Sequence, residues 1–344
     1  MVKRSKVLLI YTGGTIGMVQ DAKTGSLVPF NFEHLLQQIP ELTKFNIEIE
    51  VCSFSPVIDS SNMNPQIWEK LCKIIYRNYH LVDGFVILHG SDTMAFTASA
   101  LSFMLHNLSK PVILTGSQLP IGTIRTDGKE NLITAIEIAA SKLKGKSIVN
   151  EVCIYFEYKL YRGNRTHKFN SEHFDAFHSP NYRYLAKAGV HIDYNKNALQ
   201  PLSKLPFEIK TKLSNRVAVL TLFPGISYDI IEMVLSSRKI DALVLLTYGS
   251  GNAPTEERFI KYLEQAIKKG KIIYNVTQCN AGTVIQGRYE TSEKLAQIGV
   301  ISGYDITTEA AVTKMMYLLG NYKNKTTIKK LLVENIAGEL TRYN

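Results

Sequence analysis

The chain has 344 residues, 45% of them hydrophobic and 20% charged, which is typical of a globular protein with a full core and two domains. The formal charge is +10, but the 40 basic residues are scattered and no apolar run is long, so we expect no nucleic-acid partner and no membrane association. Four cysteines without a C-x-x-C pair argue against a zinc site and a disulfide framework, and we expect a cytoplasmic protein that holds no metal.

Strand and helix patterns alternate through the first half of the chain. The apolar runs that predict buried parallel strands are 7–11, 84–89, 111–115 and 152–156. Asn64 followed by Pro65 predicts the start of a helix, because asparagine caps the first turn and proline fits the first helical position. Residues 93–105 are apolar nearly all round, which predicts a buried helix, and a further helix is predicted at 129–141.

The alternation pauses once and then resumes. Residues 191–214 are polar and contain Pro201 and Pro206, which indicates a linker. Strand patterns follow at 217–223, 241–247 and 271–277, and helical patterns at 228–236, 256–269 and 308–319. Because repeated β-α-β order implies parallel sheets, we predict an α/β protein of two domains, each with a mainly parallel sheet flanked by helices. The predicted divisions are an N-terminal domain at 1–190 that carries most of the site, the linker, and a smaller C-terminal domain at 215–344.

The first predicted strand runs directly into a glycine turn, Thr12-Gly13-Gly14-Thr15-Ile16-Gly17. Glycines permit backbone conformations that a Cβ would forbid, and α/β proteins bind their ligands at the carboxyl edge of the sheet. The turn lacks the Gly-Lys-Ser/Thr ending of a P-loop and the G-x-G-x-x-G spacing of a dinucleotide site. Thr15 is therefore either a nucleophile or part of a structural turn, and the turn alone does not decide between them.

Three more polar clusters follow predicted strands or precede predicted helices, at 59–63, 89–93 and 162–168. Each cluster has an ordinary interpretation as helix caps, a turn residue or a surface lysine: Asp92 or Thr93, Ser61, and Lys168, respectively. Taken together, a hydroxyl, a carboxylate and a lysine on the strand-end loops of one sheet form a set that can activate a nucleophile.

These motifs resemble those of the bacterial-type L-asparaginases. Residues 12–17 resemble the amino-terminal signature of that family, and His89-Gly90-Ser91-Asp92-Thr93 resembles the second signature, usually His-Gly-Thr-Asp-Thr. Further matches at 110–118, 160–168, 248–254 and 277–279 extend the resemblance over nearly the whole chain. The start Tyr-Thr-Gly-Gly-Thr-Ile-Gly-Met and the segment Tyr-Arg-Gly-Asn-Arg-Thr are similar to the cytoplasmic type I branch.

The resemblance implies hydrolysis of the small molecule L-asparagine to L-aspartate and ammonia, without a cofactor, by a homodimer or homotetramer. It makes Thr15 the nucleophile that attacks the side-chain amide. The second hydroxyl–carboxylate–lysine group that it implies consists of Ser91, Asp92 and Lys168. The residues that it places around the substrate are Asp59, Ser60 and Ser61, at the α-amino and α-carboxylate groups, and Gln118 in the pocket wall. Backbone N–H groups beside Gly14 and Gly90 are candidate donors to the oxyanion.

Two positions depart from the family pattern. Ser91 replaces the usual threonine, which keeps the hydroxyl and loses only a methyl group. Many members of the family carry a tyrosine in the loop that follows the glycine turn, but residues 18–29 of this chain contain none. Some cytoplasmic members use a tyrosine from the second domain instead, and Tyr289 matches that position.

Three alternatives remain open at this point. A glutaminase-asparaginase of broader specificity would share the same motifs. The asparaginase-like subunit of a tRNA-dependent amidotransferase carries an extra amino-terminal domain, whereas here the strand that leads to Thr15 begins at Val7. A non-catalytic amino-acid-binding protein on the same scaffold would keep Asp59 and Ser60 but lose Thr15 or Lys168.

Overall fold

An eight-stranded sheet organises the first part of the chain. The computed structural model describes residues 4–20, 27–29, 39–287 and 290–342, and the chain divides into the units Met1–Thr211 and Lys212–Asn344. The strands of the first unit are β1 (Ser5–Tyr11), β2 (Met18–Gln20), β3 (Leu27–Pro29), β4 (Ile47–Ser53), β5 (Gly84–Leu88), β6 (Leu105–His106), β7 (Val112–Thr115), β8 (Lys142–Leu143), β9 (Lys146–Ser147), β10 (Val152–Phe156), β11 (Lys159–Arg162), β12 (His167–Lys168), β13 (Phe177–His178), β14 (Ala186–Ala188), β15 (Ile192–Tyr194) and β16 (Glu208–Ile209).

The large sheet is parallel in its centre and antiparallel at one side. Its strand order is β15-β14-β11-β10-β7-β5-β1-β4. The strands from β4 to β10 in this order run parallel, and β11, β14 and β15 extend the sheet in antiparallel pairing. Strands β5, β7 and β10 are buried along their whole length, as expected for a parallel sheet that is covered on both faces. The carboxyl ends of the parallel strands therefore meet at one edge.

The helices of this unit within the described residues are α1 (Pro65–Asn78), α2 (Met94–Met104) and α3 (Gly128–Ala140). Helices α2 and α3 pack on the large sheet, and α1 packs on α2. Helix α1 begins as predicted, because the Asn64 side chain accepts hydrogen bonds from the first-turn N–H groups of Gln66 and Ile67. Helix α2 is buried on nearly every side, which confirms the interpretation of its all-round apolar pattern.

The second unit repeats the α/β scheme on a smaller scale. Its strands are β17 (Val217–Thr221), β18 (Ala242–Thr247), β19 (Ile272–Thr277) and β20 (Ile301–Ser302), and its helices are α4 (Tyr228–Ser236), α5 (Glu257–Lys268), α6 (Glu290–Gln297), α7 (Thr308–Asn321) and α8 (Lys325–Leu332). The four strands lie in sequence order and run parallel. Their core includes Leu243, Leu245 and Phe259, all of which are inaccessible to solvent.

The predicted fold class is confirmed, since both units carry a mainly parallel sheet flanked by helices. The antiparallel extension of the large sheet was not predicted. Within the predicted linker 191–214, β15 forms the edge of the first sheet and β16 pairs with β6. The chain passes between the two units at Thr211 and Lys212. The predicted domain limits at 190 and 215 stay predictions.

Candidate active site

The glycine turn after β1 presses closely against two neighbouring loops. Gly13 and Gly14 have φ values of 138° and 94°, which L side chains rarely adopt. A Cβ on Gly13 would collide with the carbonyl oxygen of Ile58, and a Cβ on Gly14 would lie 2.5 Å from the Gly90 nitrogen. Thr15 follows at once, half-buried, and begins a 3₁₀ turn. The two glycines thus bring the backbone before Thr15 against the loops that contain Ile58 and Gly90.

The loop after β5 holds a lysine–carboxylate–hydroxyl cluster. Lys168 Nζ lies 2.6 Å from Asp92 Oδ1 and donates a second hydrogen bond of 2.9 Å to Ser91 Oγ. The Lys168 side chain is 17% exposed and that of Asp92 is 68% exposed. The pair therefore lies at the surface of the protein, at the carboxyl edge of the sheet, and not inside the core. Lys168 is held in β12, which pairs with the buried Phe177 of β13.

His89, at the end of β5, is buried and neutral. Its Nδ1 is 2.7 Å from the Gly90 carbonyl oxygen, which can only accept, so the ring proton is on Nδ1. Its Nε2, which carries no proton in this neutral ring, is 2.8 Å from Thr97 Oγ1, so Thr97 donates to the ring and accepts the Trp68 Nε1–H at 2.9 Å. Burial lowers the pKa of His89 to about 4, although the bond to the Gly90 carbonyl acts in the opposite direction. This chain of hydrogen bonds fixes the Gly90 peptide that precedes Ser91.

A 3₁₀ turn at Ser60–Asn62 lies against the same loop. Asp59 Oδ1 accepts from the Ser61 N–H at 2.9 Å and from Ser61 Oγ at 2.7 Å, and these bonds lower the pKa of the Asp59 carboxyl. Ser60 is buried, its carbonyl accepts from Thr93 Oγ1 at 2.6 Å, and its Oγ would lie 2.5 Å from a Cβ on Gly90. A carboxylate and two hydroxyls are therefore held beside the Gly90 loop.

The Gln118 amide connects the cluster to a third loop. Its Nε2 donates to the carbonyl oxygens of Ser171 and His173, both at 3.1 Å, in the turn between β12 and β13. Its Oε1 receives the Ser91 hydroxyl at 3.4 Å. Gln118 thus bridges the loop that contains Ser91 and the hairpin that contains Lys168.

Most of the residues predicted from the sequence are therefore brought together at one sheet edge. Those in direct mutual contact are Ser91, Asp92, Lys168 and Gln118. Ser60 touches Gly90, and Thr15 is joined to the group through the contact of Gly14 with Gly90. Tyr289 lies outside the described residues, as does 21–26 of the loop after the glycine turn.

The sequence did not reveal the hydrogen bonds that Thr93 and Thr97 make at this edge. Thr93 was weighed only as a helix cap, but it makes no capping bond and instead donates to Ser60. Thr97 lies within an apolar helix, where its hydroxyl gave no sign that it bonds to His89. A threonine inside an otherwise apolar helix is a weak signal for a buried polar partner, because the hydroxyl can also bond to the preceding helical turn.

The described residues contain neither a cluster of metal ligands nor a helix that could span a membrane. No group of three or more His, Cys, Asp or Glu side chains within 4–20, 27–29, 39–287 and 290–342 could hold a metal ion. In the same part of the chain, every helix is too short or too polar to cross a membrane.

Two family models match the chain. Residues 6–200 match the model described as Asparaginase, N-terminal, and residues 216–332 match the Glutaminase/Asparaginase C-terminal domain. Together these matches cover most of both structural units. The resemblance stated from the sequence motifs is therefore confirmed.

Individual relatives agree with the family models over the full chain. L-asparaginase 1 of Escherichia coli (strain K12) is 41% identical over 99% of this chain and 99% of its own length. The 60 kDa lysophospholipase of Mus musculus is 37% identical over 98% of this chain, which corresponds to 62% of that longer protein. The crystal structure of L-asparaginase I from Vibrio cholerae superposes with a TM-score of 0.90 at 39% identity, covering 99% of this chain and all of that one.

Proposed function

The chain belongs to the asparaginase family, and on this premise we propose that it hydrolyses L-asparagine to L-aspartate and ammonia. The observation that carries the proposal is the position of Lys168, whose amine bonds to both Ser91 and Asp92 beside the turn that contains Thr15. A lysine held on a carboxylate and a hydroxyl at a strand-end edge is suited to moving a proton to and from a nucleophile.

In the proposed reaction Thr15 is the nucleophile. Its Oγ attacks the side-chain amide carbon of asparagine, and its proton passes by way of Ser91 to Lys168 in the neutral amine form. The proton then returns to the amide nitrogen, the C–N bond breaks, and ammonia leaves an ester on Thr15. Water adds to the ester carbon, and cleavage of the C–O bond releases aspartate and restores the threonine hydroxyl. Asp92 holds the lysine during these transfers, and N–H groups beside Gly14 and Gly90 are the proposed donors to the oxyanion.

The α-groups of the substrate are proposed to bind at the 59–61 turn. The Asp59 carboxylate is directed by two hydrogen bonds from Ser61, and a carboxylate complements the α-ammonium group. The Ser60 hydroxyl can donate to the α-carboxylate, and the Ser61 hydroxyl can do so when it exchanges its bond to Asp59 Oδ1 for one to the substrate. Gln118, proposed from the sequence as part of the pocket wall, has an amide that bonds to protein groups on both sides.

The setting of the enzyme is also proposed. We infer a cytoplasmic homodimer or homotetramer that acts on a small molecule without a cofactor and has no nucleic-acid or membrane partner, as the similarity to type I asparaginases supports. Tyr289 stays the predicted hydroxyl partner of Thr15 in place of the missing loop tyrosine.

Ammonia release by purified protein tests the proposal directly. We expect kcat/KM for asparagine to exceed that for glutamine by about 10–200-fold or more, because one extra methylene in a fitted pocket has about that effect. Equal values for the two amides would favour a glutaminase-asparaginase. No release from either amide would favour a binding protein.

Substitution of Thr15 tests the nucleophile. Thr15→Val should lower kcat by about 10⁴-fold or more, because nothing else supplies the attacking oxygen. Thr115→Val is the matched control, since this buried threonine ends β7 and donates only to a backbone carbonyl, that of Tyr155. Thr115→Val should retain most of the activity. A Thr15→Val protein that retained a tenth of the activity would exclude the threonine mechanism.

Tyr289 is tested in the same assay. Tyr289→Phe should cost about 10²-fold in kcat at an unchanged melting temperature, if the tyrosine relays the proton.

A further inference from the structure

Asp127 stands where a helix cap is expected but does not cap the helix. It immediately precedes α3, the position at which aspartate commonly accepts from first-turn N–H groups. Its side chain makes no capping bond, and the hydroxyl of Thr126 accepts from the Gly128 N–H at 2.9 Å instead. The Asp127 carboxylate is therefore directed away from the helix that it precedes.

The carboxylate turns back towards the loop after β7. Oδ1 and Oδ2 accept from the Gln118 N–H at 3.1 and 3.0 Å, and Oδ1 also accepts from the Leu119 N–H at 3.1 Å. Asn131 Nδ2 donates to Oδ2 at 3.2 Å. The residue is only 8% exposed. Burial raises the pKa of Asp127, and the hydrogen bonds from Gln118 and Leu119 act against that rise.

The backbone that this carboxylate holds belongs to Gln118. The Gln118 side chain in turn holds two loops of the site, since it bonds to the carbonyls of Ser171 and His173 and to the Ser91 hydroxyl. A displacement of the Gln118 backbone would therefore move the hairpin of Lys168 and the loop of Ser91 relative to each other.

Gln118 also supplies an acceptor for the Ser91 proton, at 3.4 Å. Lys168 Nζ donates to Ser91 Oγ at 2.9 Å, so the Ser91 hydroxyl directs its own hydrogen elsewhere. The acceptor in place is Gln118 Oε1. Holding that amide in place therefore limits the positions that the Ser91 hydroxyl can take beside Lys168.

We propose that Asp127 is a positioning residue: by fixing the Gln118 backbone, it keeps Ser91 and Lys168 aligned for proton transfer. The proposal rests on the function proposed above, in which these two side chains move the proton of Thr15. Asp127 itself is connected to the reacting groups only through Gln118.

The variant that tests the proposal is Asp127→Asn. It has nearly the same shape, but its amide offers one acceptor oxygen and directs an N–H₂ group at N–H donors. Asn131 cannot turn its amide to relieve this, because its Nδ2 also donates to Gly116 and its Oδ1 accepts from the Glu157 N–H. We expect a loss of about 10–10²-fold in kcat with a smaller change in KM, since misalignment of reacting groups by a fraction of an ångström has effects of this size.

Glu130→Gln is the matched control. Glu130 lies in the same first turn of α3 and is also hydrogen-bonded, to Thr134 and Tyr155, so this change removes the same charge from the same helix end. It does not touch Gln118 or the site. Glu130→Gln should stay within about threefold of wild-type kcat, since neutral substitutions away from reacting groups leave their alignment intact. Equal kcat losses in the two variants would assign the effect to the helix and overturn the proposal.

A double-substitution cycle with Gln118→Leu tests the route. Gln118→Leu alone should also lower kcat more than it raises KM. If Asp127 acts through Gln118, Asp127→Asn should cost less than about threefold more in that background, because residues that act as a unit are not additive. Additive losses would contradict the proposal. Should Asp127→Asn fail to fold, the kcat-against-KM split of Gln118→Leu still decides whether the bridge positions Ser91.

Hydrogen exchange separates this proposal from the proposed function. The backbone amides of Gln118 and Leu119 should exchange at least about tenfold faster in Asp127→Asn than in wild type or Glu130→Gln, because their acceptor is lost. Unchanged exchange would overturn the proposal that Asp127 fixes the Gln118 backbone, even in an active enzyme. Faster exchange in a protein that releases no ammonia would support the hold of Asp127 on the Gln118 backbone and reject the proposed function.

Discussion

The pairs Lys168–Asp92 and Lys314–Glu339 have almost the same length, 2.6 and 2.5 Å between nitrogen and oxygen, but very different surroundings. In the first unit Lys168 is 17% and Asp92 68% exposed, whereas both side chains of the second pair are completely buried. The further partner of Lys168 is a hydroxyl, that of Ser91. One pair therefore lies partly in solvent at the sheet edge where the site is proposed, and the other lies inside a core.

The buried pair is tied to the backbone from both sides. Lys314 donates to the carbonyl oxygens of Leu332 and Glu334 at 3.0 and 2.6 Å, and Glu339 accepts from the N–H groups of Ile336 and Ala337 at 3.2 and 2.7 Å. Burial lowers the pKa of Lys314, and Glu339 opposes that shift. These bonds attach the segment after α8 to α7. Solvation and additional partners, rather than the length of the pair, separate a charge that can take part in chemistry from one that holds the chain in place.

The largest expected effect is the loss of activity when the exposed pair is broken. Lys168→Met and Asp92→Ala should each lower kcat by about 10⁴-fold, and the double variant should be little worse, because residues that act as a unit are not additive. The free energy of unfolding should change by less than about 1 kcal/mol, since a partly exposed pair contributes little. Steady-state kinetics and urea unfolding measure the two quantities. Additive losses in kcat would mean that Lys168 is only a surface charge.

Breaking the buried pair should have the opposite result. Lys314→Met leaves an uncompensated buried carboxylate and should lower the free energy of unfolding by about 3–5 kcal/mol, with kcat per folded molecule unchanged. Adding Glu339→Gln should recover part of this loss, because no isolated charge remains and the amide oxygen can still accept from a backbone N–H. Urea unfolding of the single and double variants is the measurement. A loss below about 1 kcal/mol in Lys314→Met would show that burial does not distinguish the two pairs.

Helices and strands that are specified by a local apolar pattern or a helix cap could be predicted from the sequence. Strand β10 and helix α4 have the bounds that their apolar patterns predicted, and α1 begins at the Asn64-Pro65 cap. Strands β11, β14 and β15 were missed because they are short and their antiparallel partners are selected by pairing at a distance, which periodicity does not record. Helix α6 is eight residues long, too short for a clear pattern.

The sequence showed which types of residue the candidate site contains, but not which of them are in contact. Lys168 and Asp92 are 76 positions apart, and only the order of the strands brings their loops to one edge. The resemblance to asparaginases supplied the combination. Lys314 gave no signal, because a lysine in a helical pattern is normally at the surface, and burial depends on the chain that later packs over it. Asp127 lies two residues before the helix predicted at 129–141, and the sequence does not show which donors its carboxylate selects.

His89 is a buried ionisable group of a different kind, because it is neutral and has no charged partner among the described residues. Its folded pKa of about 4 is below the ordinary 6.5, so between these values the unfolded chain binds more protons than the folded protein. Stability should therefore fall as the pH is lowered from 6.5 to 4, by up to about 3 kcal/mol from this residue. Unfolding free energies at pH 7 and pH 4.5 measure the slope.

His89→Gln tests the source of that slope. Glutamine cannot be protonated but can donate to Gly90 and accept from Thr97, so the variant should lose stability less steeply as the pH falls. His80→Gln, at an exposed histidine that ends no strand, is the control and should keep the wild-type slope. An unchanged slope in His89→Gln would assign the acid sensitivity to other groups.

The smallest effect is expected for an ion pair on a helix surface. Lys73 Nζ and Glu69 Oε1 on α1 are 2.6 Å apart, the same distance as in the Lys168–Asp92 pair, with side chains 52% and 40% exposed. An i,i+4 pair on a helix surface contributes about 0.3–0.5 kcal/mol, because water screens the charges and both long side chains lose freedom. A double-mutant cycle of Glu69→Gln and Lys73→Gln should give a coupling energy in that range, with kcat unchanged in all three variants. A coupling above about 2 kcal/mol would exceed what solvent allows. The strength of all three pairs would then follow their common length, and exposure would not separate the weak pairs from the strong one.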